Sequence, residues 1–373
     1  MKRYQKDAII ADLHKKIVLL AGPRQAGKTT LAKEIGEEFS STLYLNYDSG
    51  SDRKIIEEES WIPSTELIIF DEIHKMPNWK TYLKGIYDTK PPHQKILVTG
   101  SARLETFNRV GDSLAGRFFL HRLMPLSPAE MHKVGENWSI DRFLERGGFP
   151  EPFLCEDLTE SKRWRLQYCD SLLRTDVLEF ENIHNLNAIR LVFDILRERV
   201  GSPISYASIA EDVSIAPNTV RKYISILEAL YVVFRITPFS KNIARSLLKE
   251  PKIYFFDTGL VKGDAGVKFK NFVGTCLYKH VLSRIDYQAE DAGLHYLRTK
   301  EQKEVDFALT MNHQIESLLE VKLKNHHISP SLAYFSEKYE LPALQVVKDL
   351  KKEHTKNGIE IRDASQFLRT LDL

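Results

Sequence analysis

Ile17-Val18-Leu19-Leu20-Ala21 is a short apolar run with a glycine-bounded loop directly behind it, Gly22-Pro23-Arg24-Gln25-Ala26-Gly27-Lys28-Thr29, and few folds accommodate that junction. Consecutive apolar residues fit a strand buried on both faces, as in a parallel sheet. The loop satisfies G-x-x-x-x-G-K-[ST] without a departure, and Thr30 to Ile35 reads as helix. The residue types say what such a loop is for. Glycines at 22 and 27 let the backbone curl until successive N–H groups point at phosphate oxygens. The helix N-terminus behind them favours negative charge. Lys28 brings an ammonium to the β and γ phosphates, and the Thr29 hydroxyl can ligate magnesium. The expected ligands are ATP and Mg2+, with Gly22, Pro23, Arg24, Gln25, Ala26, Gly27, Lys28, Thr29 and Thr30 as the nucleotide-binding residues.

Leu67-Ile68-Ile69-Phe70 is a second buried-strand run, and it ends in Asp71-Glu72. An aspartate at that strand end holds magnesium in P-loop enzymes. The glutamate beside it is placed to orient and deprotonate an attacking water. A kinase acting on a small molecule would not need this second carboxylate, so Glu72 points to hydrolysis. Ile96-Leu97-Val98-Thr99 carries Gly100-Ser101 at its tip, which makes Thr99 or Ser101 the candidate γ-phosphate sensor. Ser113-Leu114-Ala115-Gly116-Arg117 precedes the strand Phe118-Phe119-Leu120. Arg117 is the candidate for neutralising transition-state charge, in its own site or in a neighbour's, with Arg103 in reserve. The expected catalytic set is therefore Lys28, Glu72, Ser101 and Arg117, with Thr29 and Asp71 on the metal.

At 373 residues the chain is long for one core, which predicts about two to four domains. Its 43% hydrophobic and 28% charged residues are those of an ordinary globular protein. No stretch reaches the roughly 18 apolar residues of a membrane span, and Met1 to Asp7 leads into no apolar signal core. Cys155, Cys169 and Cys276 lie too far apart for a zinc site or a disulfide framework. A cytoplasmic protein without a membrane partner is the expectation. The net charge of +2 leaves any nucleic-acid contact to a local patch.

The motifs Gly22 to Thr30, Asp71-Glu72, Thr99-Gly100-Ser101, Leu114-Ala115-Gly116-Arg117 and Pro125-Leu126-Ser127 occur in that order, with Gly147-Gly148-Phe149-Pro150 and Tyr254-Phe255-Phe256-Asp257-Thr258-Gly259-Leu260 further on. The set resembles the prokaryotic AAA-like ATPases that carry a C-terminal domain of unknown function, relatives of the archaeal and signal-transducing ATPase clade. The resemblance spans nearly the whole chain. It implies an additional-strand, AAA-like P-loop NTPase sheet in an α/β three-layer sandwich, then a helical segment, a winged helix-turn-helix and a restriction-endonuclease-like α/β domain. The corresponding ranges are 1–130, 131–200, 201–250 and 251–373.

Residues about 140–200 are rich in charge at helical spacing, and Leu186, Ile189, Phe193 and Leu196 form one stripe. Such a segment can cover a nucleotide, and core packing accounts for the stripe equally well. Ser205 to Asp212 reads as a helix and Val213 to Ala216 as a turn. A second helix follows from Pro217, with Val220, Ile224, Leu227 and Tyr231 on one face, and then a strand at Val232-Val233-Phe234. That is the order of a helix-turn-helix with a wing. Asn218, Thr219, Arg221 and Lys222 stand at the start of its second helix as the candidate duplex-DNA contacts, although such modules also serve as packing units or protein docks.

Glu304-Val305-Asp306-Phe307-Ala308-Leu309 and Leu318-Leu319-Glu320-Val321-Lys322-Leu323 alternate as half-buried strands do. Asp306, Glu320 and Lys322 make a D…E-x-K set, in which carboxylates bind magnesium and the lysine positions water. Alternating charge on a solvated strand gives the same pattern. The resemblance implies an acidic residue in the preceding helix where this chain has Lys270, and a lysine there would repel a cation. A retained nuclease fold with lost chemistry is the expectation. The alternatives are an ATP-regulated nuclease and a slow ATP-dependent switch or scaffold binding a protein partner; a homo-oligomer is a further candidate partner. Asp71-Glu72-Ile73-His74 also matches a helicase tetrapeptide, but no Q-x-x-G-R-x-x-R motif follows and the remaining chain is short for a second motor.

Overall fold

The computed structural model describes residues 2–100, 114–177, 185–240, 250–324 and 327–372. By contacts it divides into two compact units, Met1–Met124 with Ala229–Tyr231, and Pro125–Glu228 with Val232–Leu373. The first unit runs α1 (Lys6–Leu13), β1 (Ile17–Ala21), α2 (Lys28–Gly36), β2 (Thr42–Asn46), α3 (Gly50–Glu58), β3 (Leu67–Asp71), α4 (Trp79–Thr89), β4 (Lys95–Thr99) and β5 (Phe118–Arg122). Its strands are all parallel, in the order β2-β3-β4-β1-β5. Every residue of β1 and β3 is buried, because alternate side chains feed two cores. Val18 and Leu20 pack with Ile9 and Leu13 of α1 and Leu31 and Ile35 of α2. Ile17, Leu19 and Ala21 pack with Ile56 of α3 and with Leu83 and Ile86 of α4. The result is a three-layer sandwich in which β4 is inserted between β1 and β3.

The second unit opens with helices α5 (Pro128–Lys133), α6 (Ile140–Arg146), α7 (Pro150–Leu154), α8 (Leu158–Ser171) and α9 (Leu186–Glu198). Ser139, Asp157 and Asn185 cap α6, α8 and α9 by accepting from backbone N–H groups of the first turn. On α9 the buried face is Ala188, Ile189, Val192, Phe193 and Leu196. Leu186 departs from the expected stripe and is 36% exposed, since it stands at the first helical position with no preceding turn beside it.

Next come α10 (Tyr206–Val213) and α11 (Pro217–Ala229), joined through Ser214 at φ +58°. Strands β6 (Val233–Ile236) and β7 (Lys252–Phe255) then pair antiparallel. β7 lies past the expected border at residue 250, and its partner β6 lies before it. The ribbon is a packing surface: Phe234 stacks on Tyr254 at 5.6 Å and on Tyr278 at 4.4 Å. Tyr278 belongs to the long helix α12 (Ala265–Gln288), whose Asn271 amide donates to the Phe255 carbonyl at 2.9 Å.

β8 (Ala292–Arg298), β9 (Glu304–Met311), β10 (Gln314–Lys322), α13 (Pro330–Tyr339), β11 (Ala343–Val347), β12 (His354–Lys356), β13 (Ile359–Asp363) and α14 (Ala364–Leu368) complete the chain. The sheet order is β12-β13-β11-β10-β9-β8. β8, β9 and β10 form an antiparallel meander, and α13 crosses over to set β11 parallel to β10. Among the described residues no helix is long and apolar enough to cross a membrane.

Candidate functional site

Parallel pairing brings the C-terminal ends of β1, β3 and β4 to one edge, with Leu20 opposite Thr99 and Asp71 opposite Thr99. The loop from Gly22 to Gly27 leaves β1 at that edge. Gly22 (φ +144°), Gln25 (φ +60°) and Gly27 (φ +94°) take left-handed backbone there. At Gly22 space decides as well, because a Cβ would stand 2.3 Å from the Leu123 carbonyl oxygen. Lys28 is buried, and its ammonium donates to the carbonyls of Gly22 at 3.0 Å and Pro23 at 2.7 Å. Pro23 and Ala26 are buried, while Arg24, Gln25 and Thr30 face solvent. The loop is braced from beneath by Arg3, whose guanidinium donates to the Ala26 carbonyl at 2.7 Å and the Met124 carbonyl at 2.6 Å. Nothing local in the sequence marks Arg3.

Asp71 is 4% exposed. One carboxylate oxygen accepts from the Thr29 hydroxyl at 3.0 Å and the Tyr44 hydroxyl at 2.5 Å, and the other accepts from the Thr99 hydroxyl. Tyr44 was not marked by sequence either. Burial, together with the hydrogen bond and charge of Asp71, holds its phenol well above the usual range. Glu72 follows in left-handed backbone (φ +57°), with its N–H donated to the Thr99 carbonyl at 3.0 Å. Burial raises its carboxyl above the ordinary glutamate value, with Lys75 opposing and Asp71 adding to the rise. A Glu72 carboxylate oxygen lies 3.5 Å from His74 Nε2 and 3.8 Å from Lys75 Nζ. Thr29 and Asp71 are hard oxygen donors already in hydrogen-bond contact. Magnesium takes only one or two protein ligands beside substrate phosphates, so the pair fits that ion.

Ser101 and Arg103 lie outside the described residues. Arg117 lies at the far end of β1 from the loop of its own chain. It immediately precedes β5, and Ile17 at the start of β1 donates to its carbonyl at 3.1 Å. The length of β1 therefore separates it from Gly22, roughly 13–17 Å at about 3.3 Å per residue. Its guanidinium is instead paired with Asp88 of α4 at 2.9 and 3.2 Å.

In the second unit Asp306 and Glu320 come together across β9 and β10, with the Asp306 N–H 3.4 Å from a Glu320 oxygen. Lys322 pairs with Glu320 at 2.8 Å. Lys270 of α12 donates to Asp306 at 2.6 Å. Burial pulls the Lys270 ammonium down, but Asp306 and the neighbouring carboxylates more than offset it and the net shift is upward. Burial and then Asp306 raise the Glu320 carboxyl, against the pull of Lys322. The Asp306 carboxylate thus already holds a cation, and among the described residues no group of three or more His, Cys, Asp or Glu converges on a metal position. On α11, Asn218, Arg221 and Lys222 are exposed and Thr219 is half-buried. The Arg221 guanidinium lies over the Tyr206 ring at 4.6 Å.

Residues 14–132 match a family described as "AAA domain", and residues 137–269 match "Domain of unknown function (DUF8612)". The chain is 28% identical over 303 residues to an uncharacterized protein of Mycobacterium tuberculosis, covering 79% of this chain and 68% of that one. It is 26% identical over 343 residues to an uncharacterized protein of Methanocaldococcus jannaschii, with 83% and 75% covered. Among solved structures, a Walker-type ATPase of Pyrococcus abyssi aligns with a TM-score of 0.43 at 14% identity, over 69% of this chain and 93% of that chain. The RuvB Holliday junction branch migration motor of Thermotoga maritima aligns with a TM-score of 0.33 at 17% identity, over 62% and 87%. At those scores neither likeness bears on function. The α/β parallel sheet and the AAA match together make the N-terminal unit a P-loop NTPase fold, and they support nucleotide binding and hydrolysis as its general activity.

Proposed function

We propose that this chain, with an AAA domain over residues 14–132, binds ATP with magnesium, hydrolyses it, and uses its nucleotide state to control the second unit. One observation carries the reading: Lys28, Thr29, Asp71 and Glu72 converge at a single edge of the parallel sheet. On binding, Lys28 exchanges the Gly22 and Pro23 carbonyls for phosphate oxygens. Thr29 and Asp71 would hold magnesium, which when bound would supply charge neutralisation to the phosphates. Glu72, its carboxyl already raised by burial, takes the proton from the attacking water. Thr99 or Ser101 is the group that senses the γ phosphate.

Lys28→Ala is expected to lose nucleotide affinity by calorimetry. Glu72→Gln is expected to bind ATP like the wild type but to turn over at least about 100-fold more slowly. Equal hydrolysis by Glu72→Gln and wild type removes Glu72 from the mechanism.

Arg117 is too far from its own loop, and we assign it to the site of a neighbouring copy in a homo-oligomer. Specific activity is then expected to rise with protein concentration and to stay flat in Arg117→Ala. Activity independent of concentration, or an Arg117→Ala variant that rises as the wild type does, contradicts the assignment.

In the second unit, α9 to α11 followed by the β6–β7 ribbon support a winged helix-turn-helix, with Asn218, Thr219, Arg221 and Lys222 as its duplex-DNA contacts. An Arg221→Ala/Lys222→Ala variant that kept wild-type affinity for duplex DNA at low salt would be incompatible with that role. The α12, β8 to β10, α13, β11 order supports a restriction-endonuclease-like fold. Asp306, Glu320 and Lys322 do not fit a divalent ion, because the Lys270 ammonium occupies Asp306. No cleavage of supercoiled DNA is expected with magnesium or manganese. Cleavage abolished by Asp306→Ala would reverse this conclusion.

A further inference from the structure

Asp71 receives one hydroxyl more than the phosphate loop and the sensor strand supply. Thr29 comes from the loop and Thr99 from β4, but Tyr44 comes from β2, on the far side of β3 from both. The register explains its reach. Tyr44 pairs with Ile69, two residues before Asp71, so both point to the same face of the sheet. A tyrosine is long enough to bring its hydroxyl forward to the carboxylate at the strand tip. The ring is held as it does so. It packs against the cluster formed by α1, α2 and the sheet, and the Lys33 ammonium of α2 lies 4.7 Å from its centroid.

An ionised carboxylate offers about four acceptor positions on its two oxygens. Three are filled here, two on one oxygen by Thr29 and Tyr44 and one on the other by Thr99. We propose that Tyr44 is a positioning residue for the magnesium of the nucleotide complex: its hydroxyl fixes the plane of Asp71 so that one acceptor position remains for the metal's coordination shell. The proposal rests on the magnesium–ATP reading above. Tyr44 touches neither nucleotide nor metal and acts only through Asp71. Its signature is a change in metal affinity that leaves metal-free nucleotide affinity alone.

The test compares wild type with Tyr44→Phe, which keeps the ring and removes the donor. Manganese binding is followed by the loss of the free-ion electron paramagnetic resonance signal in the presence of a non-hydrolysable ATP analogue. Analogue binding is measured separately in EDTA. A hydrogen bond to a charged group contributes enough to move an equilibrium about tenfold, so manganese affinity is expected to fall about tenfold while analogue affinity in EDTA is unchanged. Lys33→Met is the second variant: it frees the ring without touching the hydroxyl, and manganese affinity is expected to fall in the same direction by about threefold. Unchanged manganese affinity in Tyr44→Phe overturns the proposal. An equal fall with and without metal also overturns it, since Tyr44 is then only a packing residue. A wild type that binds the analogue with no manganese uptake defeats the underlying magnesium reading, which is a separate failure.

Discussion

A single ammonium shows how much of this chemistry is carried by individual charges. Lys270 and Asp306 lie 2.6 Å apart, with the aspartate almost fully buried and the lysine side chain 32% exposed. Removing the lysine leaves a buried carboxylate without its counter-ion. Discounted for the exposure of the lysine, Lys270→Ala is expected to destabilise the protein by about 1–3 kcal/mol in urea unfolding. Asp306→Asn combined with Lys270→Met is expected to recover most of that loss. If Lys270→Ala unfolds like the wild type, the pair is not what satisfies Asp306. The same ammonium could be anticipated from the chain, because Lys270 stands where relatives of this kind are expected to carry an acid. The 2.6 Å contact with Asp306 itself depends on how α12 lies against β9, which spacing alone does not state.

At the level of the element, the strand-to-helix junction after β1 is the most legible part of the chain. Ile17 to Thr29 states its conformation locally: an apolar run, glycines where the backbone must turn left-handed, and a helix that starts at Lys28. Gly22→Ala tests that reading. It places a Cβ against the Leu123 carbonyl in backbone that L residues rarely adopt, which is expected to cost about 1–3 kcal/mol in urea unfolding and to weaken nucleotide binding with it. Wild-type stability in this variant would mean the loop can adopt another path. Where partners lie far apart in sequence, the chain is silent. Tyr44 reaches Asp71 only because β2 pairs with β3 in one register. Arg117 stands at the opposite end of β1 from the loop only because β5 pairs parallel with β1, which spacing alone does not state. Leu186 fits the apolar stripe of its helix by spacing and is exposed because it starts the first turn. Periodicity tells which residues share a face, but not where that face ends.

For the molecule as a whole, three histidines with lowered pKa contribute to the response to acid. Burial lowers the imidazoles of His121 in the first unit and of His280 and His295 in the second below the ordinary value of 6.5. Between the folded and unfolded pKa values the unfolded chain binds more protons, so stability rises with pH across that window. The contribution is complete above about pH 6.5 and is lost as the pH falls below it, with a slope of up to about 1.4 kcal/mol per pH unit for each residue. The melting temperature is expected to fall on acidification from about pH 7.5 to about pH 5.5, and His295→Gln is expected to flatten that fall. An unchanged melting temperature over this range would show that these side chains accept protons without opening the fold. Nucleotide binding by the first unit is tested most directly by calorimetric titration of magnesium–ATP into wild type and Lys28→Ala. Saturable binding of one nucleotide per chain, lost in Lys28→Ala, is the expected result; no heat in the folded wild type, or the same isotherm in both proteins, contradicts it.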